Sequence, residues 1–259
     1  MVESVDEKEQ EIVDFPNVRF CVDEDVETRK LNSFLSENKS RGGANLTDIL
    51  LQAHPGLRSA IELNPDERLS AVAIYVQGYY GENRPQMEDA ARTMKCEWDE
   101  YSPCFFEVVG RIFKEMHWPE GEYVGYVSIS PPYPRYLDSK TFQLPYESVR
   151  RGIRVTAHEM LHFMFYEYVR RRYIPDLSNT DEREMEKVLD GRFKIPLWEL
   201  SEIFNIVVLS GDEFGRGKAK QGASSYTHLA DYCEEFEVLW RKSKKDLDKF
   251  FEMIEVFAH

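Results

Sequence analysis

The pentapeptide His158-Glu159-Met160-Leu161-His162 decides how this chain is interpreted. It lies in an otherwise apolar, proline-free run from Val155 to Tyr166 that is typical of a helix. Because the two histidines are four positions apart, a helix places both imidazoles on the same side. An H-E-x-x-H motif in this setting predicts a zinc site, in which the imidazoles bind one ion and the glutamate acts on a metal-bound water.

The alternative interpretation is a coincidental match, with His158 and His162 as hydrogen-bonded core residues. The chain has only six histidines, so this spacing is rarely expected by chance. A helix that is apolar on one face and presents ligands on the other also favours a metal site. Three of the four remaining histidines, His54, His117 and His259, have no neighbours suited to a site, and we expect them at the surface.

Composition narrows the class of protein. The 259 residues are 42% hydrophobic and 13% aromatic, as in an ordinary globular chain that can bury a core. A net charge of -14 repels phosphate backbones and anionic membranes, so we expect neither nucleic acid nor a membrane as partner. No apolar run approaches the ~20 residues that a membrane span requires.

The cysteines and the first residues bear on the compartment. Four cysteines are scattered along the chain without a C-x-x-C pair, which favours reduced thiols. The N-terminus is acidic and lacks the basic and apolar segments of a secretory signal. We therefore expect a cytoplasmic protein.

Periodicity predicts a mostly helical chain with few strands. Alternating apolar residues predict strands at 18–22, 122–130 and 140–144, and the motif lies on a long helix at 147–172. Glycine and proline predict a loop at 81–85 between two helices. The expected fold class is α+β, mostly helical, with a small β-sheet beside the motif helix.

The pattern of predicted helices and strands divides the chain into two regions. Residues 1–117 form a mostly helical region of unknown role, in which residues 1–11 are charged and expected to be disordered. Residues 118–259 carry the predicted metal site. One continuous domain is the alternative to two.

A catalytic zinc needs a third protein ligand, and Glu202 is the main candidate. It lies in an apolar segment at 197–210, where a buried carboxylate is costly unless a cation neutralises it. Asn205 is positioned beside it as a partner for the site. Glu199 remains the alternative, although an acidic residue near a helix start is also explained by the helix dipole.

The motif helix resembles that of the zincin metallopeptidases. The metzincin branch is excluded because Phe165 and Tyr168 stand where its glycine and third histidine should be. In the gluzincin branch the third ligand is a glutamate on a downstream helix, and residues 201–204 (Ser-Glu-Ile-Phe) are similar to the Ser-Asp-Ile-Phe stretch of that helix. The gluzincin ligand lies four residues before that aspartate, where this chain has Trp198, so Glu199 stays open as the ligand.

The gluzincin resemblance implies a zinc-dependent peptidase. Zn²⁺ held by His158, His162 and Glu202 would activate water, Glu159 would be the general base, and a peptide or protein substrate would bind along a sheet edge. The strand at 122–130 or the one at 140–144 is expected to supply that edge, unless both are interior.

A residue after the glutamate helix often completes a gluzincin site. Tyr226 or His228 would then stabilise the oxyanion of the intermediate, and His228 is also a competing third ligand. The alternative is that both residues only begin a helix.

Two other functions stay open. A metal-dependent amidase of the deformylase type also uses H-E-x-x-H, with an upstream cysteine ligand, but Cys96 and Cys104 lack the expected glycine-cysteine-leucine context. A protein of another class would use a structural or catalytically silent zinc site in a binding module. Cleavage of peptides separates the peptidase from that module.

Overall fold

The computed structural model describes residues 15–36, 40–41, 44–114, 116–177, 181–215 and 229–255. The described residues are 68% helical and contain a small four-stranded mixed sheet, which confirms the predicted mostly helical α+β fold class. The predicted disordered segment at 1–11 lies outside the described residues.

The helices in chain order are α1 (Glu24–Ser36), α2 (Leu46–Ala53), α3 (Pro65–Ile112), α4 (Val149–Tyr173), α5 (Glu182–Val188), α6 (Leu197–Leu209), α7 (Ala230–Lys242) and α8 (Leu247–Ile254). The strands are β1 (Val18–Cys21), β2 (Ser40–Arg41), β3 (Ala44–Asn45), β4 (Tyr123–Ser128), β5 (Arg135–Tyr136) and β6 (Thr141–Pro145). Short 3-10 helices span Pro55–Glu62 and Asp212–Phe214.

The main sheet has the strand order β1-β4-β6-β5. Strands β1, β4 and β6 are parallel, and β5 pairs antiparallel with β6. The predicted strands at 122–130 and 140–144 are therefore present as β4 and β6, but both are interior. The expectation that one of them supplies the sheet edge is wrong, because the edges are β1 and the two-residue strand β5.

Helix α3 runs unbroken for 48 residues, so the loop predicted at 81–85 is wrong. A buried stripe follows the helical repeat on both sides of that segment, including Tyr80 and Met87. An interior proline removes one helical hydrogen bond, yet α3 contains Pro85 and Pro103. Burial of the continuous stripe outweighs this local cost.

Helix α4 packs against β6, α3 and α6. Its Phe163 ring lies 5.2 Å from Tyr123 of β4, and its Phe165 ring lies 5.2 Å from Phe204 of α6. A side chain at Gly152 would lie 2.5 Å from Cε of Met94, so glycine permits the close approach of α3 and α4. The motif helix is thus held on three sides by large apolar contacts.

One buried hydrophobic cluster includes side chains from both regions defined by sequence, from Leu31 on α1 to Phe251 on α8. None of the helices in the described ranges has the length and apolar character needed to cross a bilayer.

The expectation that His54 lies at the surface is wrong. It is only 4% exposed, and its ring nitrogens lie 2.9 Å from the Tyr75 hydroxyl and 3.0 Å from the Ile129 carbonyl oxygen. These bonds satisfy both nitrogens, so His54 is a structural residue. His117 is exposed, as expected.

Candidate metal centre

The two motif histidines lie in the middle of α4 and their imidazoles converge. Nε2 of His158 is 2.9 Å from Nε2 of His162, and the ring planes are nearly perpendicular, at 87°. Both residues are buried, His162 completely. Nδ1 of each ring has no hydrogen-bond partner within the described part of the chain. A neutral ring can therefore carry its proton on Nδ1 and leave Nε2 free to bind a metal ion.

Glu202 approaches the same point from α6. Its Oε2 atom is 3.1 Å from Nε2 of His158, and its Oε1 atom is 3.3 Å from Nε2 of His162. Glu199 is only half-buried, and within the described ranges it forms no ion pair with either histidine. Of the two predicted third ligands within the described residues, Glu202 and Glu199, the fold brings Glu202 to the imidazoles.

His158, Glu159 and His162 form a buried group that could hold a metal ion, with one donor atom from each lying within 4.8 Å of the others. The Oε1 atom of Glu159 is 4.0 Å from Nε2 of His158. Glu159 therefore lies beside the two imidazoles, where a general base would be needed.

The spacing of the donor atoms can be compared with zinc chemistry. Four ligands at about 2.0–2.1 Å in tetrahedral geometry lie about 3.3 Å from one another. The separation of the two Nε2 atoms is 2.9 Å, and each Nε2 atom lies 3.1–3.3 Å from a different oxygen of the Glu202 carboxylate, so each of these separations is close to that value. In addition, Oε2 of Glu202 is buried without a hydrogen-bond partner among the described residues, as expected for an atom that binds a metal.

Arg135 on β5 contributes a buried cation that the sequence analysis did not identify. Its side chain is 4% exposed, and Nη1 is 3.3 Å from Glu202 Oε1 and 3.8 Å from Glu159 Oε2. Its Nη2 atom donates to Tyr166 and to Glu182, at 3.1 and 3.3 Å. β5 is too short to show a periodicity, so no sequence pattern points to this residue.

The charges in this cluster do not balance. The guanidinium of Arg135 faces three carboxylates, those of Glu159, Glu182 and Glu202. Among these four side chains, the three carboxylates carry more negative charge than the one guanidinium offsets. Buried charge is costly unless it is paired, so the cluster is suited to a divalent cation.

The pKa shifts show how strongly the groups interact. Burial alone would raise the pKa of Glu202, but the imidazoles of His162 and His158 hold it well below its usual range. Burial, reinforced by Arg135, lowers the pKa of His162 well below its usual value. Burial also opposes protonation of His158, yet the Glu202 carboxylate raises its pKa overall.

Two hydrogen bonds position α6 relative to the histidines. The Asn205 Nδ2 atom donates to the main-chain carbonyl of His158 at 2.7 Å. At the start of α6, the main-chain N–H of Trp198 donates to Oε1 of Glu186 on α5 at 3.0 Å. Helix α5 thus holds α6 through Glu186 and Arg135 through Glu182.

Other predicted site residues are not part of this cluster. Tyr226 and His228 lie outside the described residues, so their predicted roles remain predictions. Cys96 and Cys104 are exposed on α3, and the group that could hold a metal within the described ranges contains no cysteine. Nothing in the described residues therefore favours a cysteine-ligated amidase.

Comparison of the chain with protein-family models, with curated proteins and with solved structures finds no match.

Proposed function

We propose that the protein is a zinc-dependent metallopeptidase, with His158, His162 and Glu202 as metal ligands and Glu159 as general base. The observation that carries this proposal is the convergence of two imidazole nitrogens and a carboxylate from a second helix, with separations of 2.9–3.3 Å. Two nitrogen donors and one carboxylate leave the fourth position open, as in catalytic zinc sites.

The charge of the same cluster supports the proposal of a divalent cation. One such ion would offset the excess of carboxylates over the Arg135 guanidinium and would bind the buried Glu202 carboxylate. Imidazole and carboxylate donors suit zinc, although they also accept other first-row metals. The test of this proposal therefore includes an analysis of which metal the purified protein contains.

When bound, zinc would supply a Lewis acid that polarises a peptide carbonyl and makes water acidic near neutral pH. Glu159 would accept a proton from the attacking water and deliver it to the leaving amine. Its position beside His158, with 7% of its side chain exposed, supports this role. Arg135 Nη1 lies 3.8 Å from the Glu159 carboxylate and so places a positive charge beside it.

An extended peptide would bind as an additional strand at the edge of the main sheet. Strand β5 forms one edge, pairs with β6 through Arg135 and Tyr136, and carries the arginine that reaches the metal cluster. Strand addition at this edge would bring the substrate backbone close to the histidines. The substrate is therefore a peptide or an unfolded segment of a protein.

The proposal is tested by metal analysis and by cleavage of a mixed peptide library followed by mass spectrometry. The purified protein should contain about one zinc ion per chain. Glu159→Gln should retain the metal and lose cleavage by roughly 10²–10⁴-fold. Glu199→Gln is the matched control, because it makes the same change outside the cluster, and it should retain both. Absence of zinc from the parent protein, or undiminished cleavage by Glu159→Gln, would contradict the proposal.

A zinc-binding module without catalytic activity is the second candidate. The side chains of His158 and Glu159 are 7% exposed, that of Glu202 is 3% exposed, and that of His162 is fully buried. Such burial is typical of structural sites, which are closed to solvent. Zinc binding without cleavage of any peptide would favour this function.

We propose a cytoplasmic location for either function. All four cysteines are free, none of them in a disulfide, which is the usual state in a reducing compartment.

A further inference from the structure

Arg135 is the one cation that links the sheet edge to the metal cluster within the described part of the chain. It extends from β5 and contacts groups on three helices: Tyr166 on α4, Glu182 on α5 and Glu202 on α6. Burial disfavours its charge, but Glu182, Tyr166, Glu202 and Glu159 raise its pKa overall, so it stays protonated. A buried cation with this many partners is fixed in position as well as in charge.

The two oxygens of Glu202 have different environments. Oε1 accepts a hydrogen bond from Nη1 of Arg135 at 3.3 Å. Oε2 is buried, lacks a hydrogen-bond partner among the described residues, and lies 3.1 Å from Nε2 of His158. Oε1 also lies 3.3 Å from Nε2 of His162, so the guanidinium holds the oxygen that faces His162 while Oε2 faces His158.

We infer that Arg135 is a positioning residue of the metal centre, which fixes the Glu202 carboxylate beside both imidazoles. This inference rests on the proposed zinc site. The contact of Nη1 with Glu159, at 3.8 Å, keeps that carboxylate beside the ligands as well. Arg135 would thus determine the orientation of both carboxylates without binding the metal itself.

The guanidinium is itself held by neighbours. Nη2 donates to the hydroxyl of Tyr166, and that hydroxyl donates to Oγ of Ser201 at 3.2 Å. Ser201 precedes Glu202 on α6, so the chain of bonds returns to the helix that carries the ligand. Arginine suits this arrangement because its rigid fork points several N–H groups in fixed directions, whereas lysine provides a compact charge on a flexible stem.

The alternative role is charge compensation alone, and it predicts the opposite effect on metal affinity. If Arg135 only offsets the carboxylates, its removal makes the cluster more negative by one charge, and zinc should bind more tightly. If it positions Glu202, its removal should weaken zinc binding by roughly 10–100-fold, as for other partners of metal ligands.

The experiment measures zinc affinity by competition with a chromophoric chelator, together with the visible spectrum of the Co²⁺-substituted protein. The variants are Arg135→Gln, Arg135→Lys and the double variant Arg135→Gln/Glu182→Gln, which removes one charge of each sign and keeps the charge of the cluster unchanged. Arg170→Gln is the matched control, because Arg170 lies on α4 and binds the buried Glu167 outside the cluster. Circular dichroism checks that each variant folds.

If Arg135 positions Glu202, all three Arg135 variants should bind zinc more weakly and show an altered Co²⁺ spectrum. Arg170→Gln should have the zinc affinity and the Co²⁺ spectrum of the parent protein. Tighter binding by Arg135→Gln, with unchanged binding by the lysine and double variants, would overturn the inference while the zinc site stands. Should Arg135→Gln fail to fold, the lysine and double variants decide the outcome. A parent protein that binds no zinc overturns both proposals.

Discussion

The side-chain amide of Asn205 donates a 2.7 Å hydrogen bond to the main-chain carbonyl of His158, which joins α6 to the helix that carries both histidines. The bond is buried and acts at the residue whose imidazole faces Glu202. It therefore fixes the distance between the two helices that supply the cluster.

Asn205→Leu should destabilise the protein and weaken zinc binding. Loss of this buried bond leaves the carbonyl with one partner fewer and should lower the free energy of unfolding by about 1–3 kcal/mol. Urea denaturation measures this change, and chelator competition measures zinc affinity. Asn83→Leu is the control, because Asn83 makes a similar 2.8 Å bond to the Tyr79 carbonyl on α3, and it should leave zinc affinity unchanged.

Glu202→Gln and Glu199→Gln should differ sharply in metal content. Glutamine at 202 removes the negative charge that lies 3.1–3.3 Å from both imidazoles, so zinc should be lost on dialysis. Glutamine at 199 changes a half-buried side chain that has no ion pair with the histidines, so zinc should be retained. Equal zinc contents in the two variants would show that the third ligand has been misidentified.

Zinc should stabilise the folded protein by mass action. Free zinc at about 100 times its Kd adds about 2.7 kcal/mol to the free energy of unfolding, provided the unfolded chain does not bind it. Differential scanning fluorimetry should therefore show a Tm several degrees higher with zinc than with a chelator. His162→Gln, which removes a ligand at the centre of the cluster, should show no such difference.

Glu167 should make stability depend on acid pH. Burial would raise the pKa of Glu167, but hydrogen bonds from Arg170 and Arg171 lower it below 4.5. A carboxyl whose pKa is lowered in the folded state contributes stability that is complete above pH 4.5 and is lost as the pH falls through the lowered pKa. Urea denaturation between pH 6 and pH 3 should therefore show a steeper loss for the parent protein than for Glu167→Gln, and equal slopes would contradict this account.

The buried pair Glu27 and Lys30 should be sensitive to removal of one partner. Lys30 Nζ lies 2.8 Å from Glu27 Oε1 and donates to Ser128 Oγ at 2.6 Å, with both charged side chains nearly inaccessible. Lys30→Met leaves a buried carboxylate uncompensated and should cost about 3–5 kcal/mol. Glu27→Gln/Lys30→Met should cost less, and a double variant less stable than the single one by urea denaturation would refute this.

The parts of the site that follow from local rules could be predicted from sequence. The spacing of His158 and His162 requires only a helix, and their convergence follows from its repeat. Glu202 stands out because a carboxylate in an apolar helix needs a cation. Asn205 was expected beside it, although its contact is with the main chain of His158, not with a side chain.

The parts that depend on tertiary packing could not be predicted. Arg135 lies on a two-residue strand whose position is set by pairing with β6, and nothing in its neighbouring residues distinguishes it. The loop at 81–85 was predicted from Gly81 and Pro85. It is absent because the buried stripe of α3 continues on both sides of these residues. His54 is buried because Tyr75 and Ile129 meet it from elements distant in sequence.

The seven-residue helix α5 makes two hydrogen bonds that connect it to the candidate metal centre. Glu182 accepts a hydrogen bond from Arg135 on the edge strand β5. Glu186 accepts one from the main-chain N–H of Trp198, in the first turn of α6, the helix that carries Glu202. A displacement of α5 would therefore move Glu202 both through Arg135 and through the start of α6. It would do so without any change in the residues next to Glu202 in the sequence. Binding of another molecule at the surface of α5 would in this way change the position of Glu202 relative to the histidines.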